Sequence, residues 1–127
     1  MIFGCGIDFI SVSRIRDAIQ NNDKFINKIY TDKEILYSEK HGKNKFAKFA
    51  TRFAAKEAFL KALGTGYKDG ISFKEIEIIR KDLSAPQITL HGKTKDIFEK
   101  ICGNANIFVS LSDDSEFAIA NVIIEKV

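Results

Sequence analysis

Tryptophan is absent from the 127 residues, proline and methionine each occur once, and there are two cysteines, Cys5 and Cys102. Cysteines so far apart describe neither a disulfide framework nor a zinc site. They are expected to be two buried or half-buried thiols in a reducing compartment, which points to the cytoplasm. No apolar run approaches the roughly 20 residues of a membrane span. Met1, Ile2, Phe3 and Gly4 place no basic stretch ahead of an apolar one, so no secretory signal is expected. Internal repeats, low-complexity segments and linkers are lacking, so residues 1–127 are expected to form one domain. Also missing are a helix-turn-helix signature and the interleaving of aromatic and basic residues found in single-strand binders. A small basic nucleic-acid-binding domain is therefore set aside.

What is present describes a soluble globular chain. Hydrophobic residues make up 45% and charged residues 29%, enough for a core without staples. Eleven phenylalanines make that core aromatic. The net charge of +3 is mild, but the basic residues cluster. Arg14 and Arg16 lie near a helix start, and Lys40, Lys43, Lys45 and Lys48 flank Gly42. Such clusters solvate a face, and they also suit an acidic protein partner or a phosphorylated small molecule.

Residues 2–7 alternate large apolar side chains with glycine and cysteine and read as a short buried strand ending at Asp8. Gly4 and Gly6 let another backbone come close. Ser11 or Ser13 caps a helix running to about Gln20, with Ile15, Ala18 and Ile19 inward and Arg14 outward. Asn21, Asn22 and Asp23 break it, and a short periodic piece carries Phe25, Ile26 and Ile29. Thr31 and Glu34 form a capping box that starts a helix towards Lys40. After a turn at 41–44, a long helix is predicted over 45–63, stopped by Gly64, with a loop at 67–70. Residues 73–80 alternate imperfectly but are rich in β-branched side chains, and predict a strand. A turn at 81–84 leads to a second strand over 86–90, with Pro86 at its start. A helix over 94–101 follows, then strands over 106–112 and 117–125 joined by a hairpin at 113–116. Helices in the first half and a mostly antiparallel sheet in the second, joined by the N-terminal strand, make an α+β fold.

The chain is organised around the second half of the long helix. At about 100° per residue, Phe46, Phe49, Ala50, Phe53, Ala54 and Leu60 share an apolar stripe, and Glu57 falls in its middle. A carboxylate aimed at a core needs a partner: Lys61 four residues on, another side chain, or a metal ion. The plain alternative is a surface pair of Glu57 with Lys61, the stripe running slightly to one side. Asp8, after the glycine-containing strand, is the other carboxylate of interest. Two acidic groups brought together repel unless a cation lies between them, and one or two carboxylates with phosphate oxygens and water suit Mg²⁺. Lys61 could neutralise a phosphate, and glycine leaves the Gly64, Thr65 and Gly66 backbone open to one. Singly, Asp8 is more often a turn residue and a Gly-Thr-Gly such as residues 64–66 more often only a helix stop.

These residues resemble the holo-[acyl-carrier-protein] synthases of the 4′-phosphopantetheinyl transferase superfamily. The resemblance rests on Gly6-Ile7-Asp8, Arg14-Ile15, Arg52-Phe53-Ala54-Ala55-Lys56-Glu57-Ala58 and Lys61-Ala62-Leu63-Gly64-Thr65-Gly66, and extends to Val109-Ser110 and Val122-Ile123-Ile124-Glu125. It implies a phosphopantetheinyl transferase-like fold and transfer of 4′-phosphopantetheine from coenzyme A to a serine of apo-acyl carrier protein, a step of fatty acid biosynthesis. It makes Asp8 and Glu57 Mg²⁺ ligands and Lys61 the contact for the pyrophosphate. Arg52, Lys61, Gly64, Thr65 and Gly66 would hold coenzyme A, and Arg14 would contact the acidic carrier. A cytoplasmic homotrimer with sites between subunits is implied as well. A silent carrier-binding module is the competing reading; it would keep Arg14 and have no use for Asp8, Glu57 and Lys61 together.

The resemblance fails at the hairpin. Where the family commonly places histidine, this chain has Asp113, after Val109-Ser110-Leu111-Ser112. An anion in place of a donor reads either as a base or metal neighbour, or as a hairpin-turn aspartate. His41 and His91 fall at loop and strand-end positions and are assigned no catalysis.

Overall fold

The computed structural model describes residues 1–67 and 70–127; Lys68 and Asp69 of the expected 67–70 loop lie outside the described residues. In chain order the elements are β1 (Ile2–Ser11), α1 (Val12–Asn21), α2 (Phe25–Ile29), α3 (Asp32–Glu39), α4 (Lys45–Leu63), β2 (Ile76–Ile79), β3 (Gln87–Leu90), α5 (Gly92–Cys102), β4 (Ala105–Asp113) and β5 (Phe117–Lys126). The α+β fold expected from the sequence is the one observed.

The 19-residue α4 is the axis of the molecule. Small residues let neighbours approach it from several sides: Ala47, Ala50, Ala54, Ala55, Ala58 and Ala62 are all buried. The antiparallel sheet, in the order β1-β5-β4, covers one flank, with Asp8 opposite Ala120 in the register. The two-stranded β2-β3 ribbon is not hydrogen-bonded into that sheet, although β3 packs beside β4. The predicted apolar stripe is thus too narrow, because helices α1 and α3 also pack on α4, and Phe49, Ala50, Phe59 and Leu60 are buried alongside Lys56 and Arg52.

β1 shows why the glycines matter. It is longer than predicted, and Asp8 sits within it rather than at its end, because pairing with β5 continues to Ser11. A Cβ on Gly4 would collide with the Ala62 carbonyl, and one on Gly6 with the Ala58 carbonyl, so only glycine permits this approach. Alternation then places Gly4, Gly6, Asp8 and Ile10 on the α4 face of the sheet and Phe3, Cys5, Ile7 and Phe9 on the outer face. Cys5 is therefore exposed rather than half-buried, whereas Cys102 is buried; both thiols are free.

Other boundaries shift for local reasons. Ser11 is the N-cap of α1, but its hydroxyl meets the Ser13 hydroxyl at 2.7 Å instead of a backbone N–H. The Thr31–Glu34 capping box is present in both halves. Residues 73–75 form a 3₁₀ turn, and only Ile76–Ile79 is strand, buried on both sides. Gly92, at positive φ, starts α5 two residues before the predicted Thr94. Asp113 closes β4, and the hairpin aspartate is Asp114, whose Oδ1 accepts from the Glu116 and Phe117 N–H groups, each at 2.8 Å.

Candidate active site

Asp8 and Lys61 meet where β1 crosses α4. Lys61 Nζ donates to Asp8 Oδ1 at 3.1 Å and to the Ile7 carbonyl at 2.9 Å. The alternative of a surface pair of Lys61 with Glu57 is not what forms, because the lysine turns to β1. Glu57 accepts instead from the Tyr67 hydroxyl, 3.3 Å from its Oε1. Burial first, and then the neighbouring Asp8 carboxylate, raises the Glu57 pKa; the Tyr67 bond, Lys61 and Arg14 oppose this. The phenol of Tyr67 is in turn pushed up to about 12 by its own partial desolvation and by Glu57 beside it, so it remains a donor at neutral pH.

The two carboxylates are thus close enough to repel, with two cationic side chains, Lys61 and Arg14, within electrostatic reach. Arg14 is exposed on α1. Among the described residues there is no group of three or more His, Cys, Asp or Glu side chains that could hold a metal ion. Beyond Lys61, α4 ends at Gly64 (φ 84°), whose N–H closes on the Leu60 carbonyl at 2.9 Å. Gly66 also has positive φ, at 58°, and Gly64 and Gly66 are exposed on either side of half-buried Thr65.

Arg52 is not brought to this cluster. Five positions before Glu57, it lies about 140° around α4. It is buried, with Nη1 donating to Thr51 Oγ1 at 2.9 Å and the guanidinium 4.0 Å above the Tyr37 ring centroid. It lines a cleft of about 250 Å³ with Lys48, Arg80, Ser110 and Asp113. There Asp113 Oδ2 is paired with Lys48 Nζ at 3.2 Å. Asp113 is therefore neither a turn residue nor, within one copy, a neighbour of Asp8 and Glu57.

Three participants escape a reading by helical spacing: Tyr67, Lys48 as the partner of Asp113, and Lys56. Lys56, fully buried, pairs with buried Glu34 at 2.7 Å. The capping box marked Glu34 as a local group, and only the tertiary fold brings α3 against α4. His91, exposed at the start of α5, is paired with Glu77 at 3.0 Å, and His41 with the Tyr37 carbonyl at 2.7 Å, so each has a partner outside the cluster.

The family model of the 4′-phosphopantetheinyl transferase superfamily matches residues 4–121. The holo-[acyl-carrier-protein] synthase of Geotalea daltonii is 41% identical over 99% of this chain and 100% of its own. That of Clostridium acetobutylicum is 45% identical over 98% of both chains. Among solved structures, the holo-[acyl-carrier-protein] synthase of Neisseria meningitidis superposes with a TM-score of 0.86 at 35% identity, covering 99% of this chain and 100% of that one. The Bacillus anthracis synthase, in complex with CoA (3′,5′-ADP), superposes with a TM-score of 0.81 at 34% identity, covering 100% and 99%. The chain belongs to the 4′-phosphopantetheinyl transferase superfamily, among its holo-[acyl-carrier-protein] synthases.

Proposed function

We propose that the face where β1 crosses α4 transfers 4′-phosphopantetheine from coenzyme A to a serine of apo-acyl carrier protein, releasing adenosine 3′,5′-bisphosphate. The observation that carries this reading is the meeting of Asp8, Glu57 and Lys61, with the Glu57 pKa raised in part by Asp8. A carboxylate pair with no histidine or cysteine beside it is a hard-oxygen donor set. It fits Mg²⁺, which takes one or two carboxylates and completes its shell with phosphate and water. Asp8 and Glu57 would hold the ion, which when bound supplies charge neutralisation at the pyrophosphate.

The rest of the work falls to the chain's own groups. Lys61, half exposed, has an ammonium free to turn from Asp8 to a phosphate oxygen and to favour the departing phosphate. Gly64, Thr65 and Gly66 offer exposed backbone on which coenzyme A would rest. Phosphoryl transfer needs positioning and charge neutralisation more than covalent help, so a serine held in line passes its proton to water without a dedicated base.

Arg52 would serve coenzyme A from a second copy of the chain. A homotrimer with sites between subunits is supported by the outer sheet face, where Phe3, Ile7, Phe9, Phe108 and Phe117 are exposed together. Sedimentation equilibrium tests this assembly, and a monomer at micromolar concentration would count against it. The reading places the enzyme in fatty acid biosynthesis in the cytoplasm; among the described residues no helix is long and apolar enough to cross a membrane. The deciding experiment is incubation with coenzyme A, Mg²⁺ and apo-acyl carrier protein, followed by the intact mass of the carrier. A carrier that gains no phosphopantetheine would remove the reading.

A further inference from the structure

The residue before Glu57 is Lys56, whose ammonium is wholly interior and has all three donors in use. It donates to Glu34 Oε1 at 2.7 Å, to the Ile29 carbonyl at 2.9 Å and to the Phe73 carbonyl at 2.8 Å. The acceptors come from the end of α2, the first turn of α3 and the 3₁₀ turn ahead of β2. The other Glu34 oxygen accepts from the Ile78 N–H at 2.8 Å and draws β2 into the same network.

One of these bonds leads back to the candidate active site. The Phe73 ring carries the Tyr67 ring edge-on, with centroids 5.0 Å apart, and the Tyr67 hydroxyl donates to Glu57 Oε1. Lys56, Phe73, Tyr67 and Glu57 therefore form a closed ring of contacts, completed by the peptide bond between Lys56 and Glu57. A half-exposed glutamate with nothing to direct it spreads over many rotamers. This one is held by a phenol that is itself seated on a residue pinned from the interior.

We propose that Lys56 is a positioning residue for Glu57: by pinning Phe73 it seats Tyr67, whose hydroxyl aims the Glu57 carboxylate towards Asp8. The inference rests on the reading of Glu57 as a Mg²⁺ ligand. Partners of this kind, one bond removed from a metal ligand, cost about 10–100-fold in metal affinity or activity when removed.

Changing Lys56 alone would leave Glu34 buried without its cation, so the pair is replaced together as Glu34→Gln with Lys56→Met. A separate variant, Tyr67→Phe, removes only a hydroxyl from an exposed side chain. Each is followed by thermal unfolding, by Mn²⁺ binding in the presence of coenzyme A using electron paramagnetic resonance, and by kcat and KM for transfer. Both variants are expected to bind Mn²⁺ about tenfold more weakly and to lose about tenfold in kcat, with KM for the carrier changed by less than about twofold. A Tyr67→Phe enzyme, or a folded double variant, that binds Mn²⁺ and turns over like the parent overturns the proposal. If the double variant does not fold, Tyr67→Phe decides alone. Unchanged Mn²⁺ binding in Glu57→Gln would instead remove the underlying reading of Glu57.

Discussion

Lys61 donates to Asp8, 3.1 Å away on β1, and not to Glu57, its neighbour one turn back on α4. The bond joins residues 53 positions apart in sequence, so it reports how closely the strand lies on the helix. It also leaves Glu57 and Asp8 as a repelling pair shared by one ammonium, an arrangement that a divalent cation would relieve. Asp8→Asn and Glu57→Gln remove charge with little change of shape. Each is expected to lower kcat by about a hundredfold or more, with the unfolding temperature unchanged or raised, since transition-state charge stabilisation is lost while repulsion is relieved. Steady-state kinetics at limiting Mg²⁺, beside a thermal melt, checks both halves; near-normal turnover by either variant would refute the metal pair.

The approach of β1 to α4 can be tested separately from the carboxylates. A Cβ on Gly6 would meet the Ala58 carbonyl, with the Ala62 nitrogen at 2.7 Å and Lys61 Cβ at 2.9 Å. Helix backbone cannot give way as a side-chain end can. Gly6→Ala should therefore destabilise the fold by about 3 kcal/mol, at the upper end of overpacking costs. It should also lower kcat under conditions where the protein remains folded, because Asp8 lies two residues along the same strand face. Denaturant unfolding with parallel kinetics checks this, and a fully active, undestabilised variant would show that the contact is softer than it looks.

The fold was legible where chemistry is local. The Thr31–Glu34 box, the Gly64 stop, the long helix and the hairpin-joined pair β4 and β5 each act through neighbours in sequence, and each is found near its predicted place. The close approach allowed by Gly4 and Gly6 was also readable, since a strand has few other uses for two glycines. Asp8 and Lys61, singled out in the sequence for separate reasons, are bonded to each other, and Glu57 lies within electrostatic reach of both. Illegible from spacing were relations that depend on which elements pack together. Arg52 shares a helix with Glu57 but not a face, Lys56 is drawn inward by a glutamate on another helix, and Asp113 finds Lys48 across 65 residues. Periodicity gives the direction of a side chain from its own axis and is silent about what waits there.

Glu77 should give the protein an acid-sensitive joint. Burial raises its pKa, but hydrogen bonds from Thr31 at 2.6 Å and His91 at 3.0 Å outweigh this and hold it below the ordinary 4.5. A carboxyl with a depressed folded-state pKa contributes stability that is present above its unfolded value and is lost as the pH falls through the folded one. The unfolding temperature should accordingly drop as the pH goes below 4.5, and Glu77→Gln should flatten that limb. The check is a series of melts from neutral to acid pH; parallel curves for the two proteins would mean that Glu77 is not the group responsible.

Arg14 is exposed on α1 and is one of the cations that lower the Glu57 pKa, so it stands beside the proposed site. A rim cation facing an acidic carrier acts mainly on association and is screened by salt. Arg14→Ala is expected to raise KM for acyl carrier protein by about fivefold or more while KM for coenzyme A moves by less than about twofold, the difference shrinking as salt is added. Equal changes in both constants would argue against a docking role.

Asp113 stands where the family resemblance raised the expectation of histidine, and its geometry bears on how the serine would lose its proton. Its carboxylate is partly buried at the end of β4 and paired with Lys48, on the far flank of α4 from Glu57. A working base needs a free lone pair within hydrogen-bond reach of the attacking hydroxyl. Here one oxygen is engaged by an ammonium, and only a second copy of the chain could bring the group to the Asp8–Glu57 face. Shaping the cleft shared with Lys48 and Arg52 is the role that fits. Asp113→Asn keeps that shape and is expected to cost less than about tenfold in kcat if, as proposed, water takes the proton, whereas removing a general base costs about 10²–10⁴-fold. A loss of about a hundredfold or more, with thermal stability and Mn²⁺ affinity unchanged, would make Asp113 the base and require the subunit contact that delivers it.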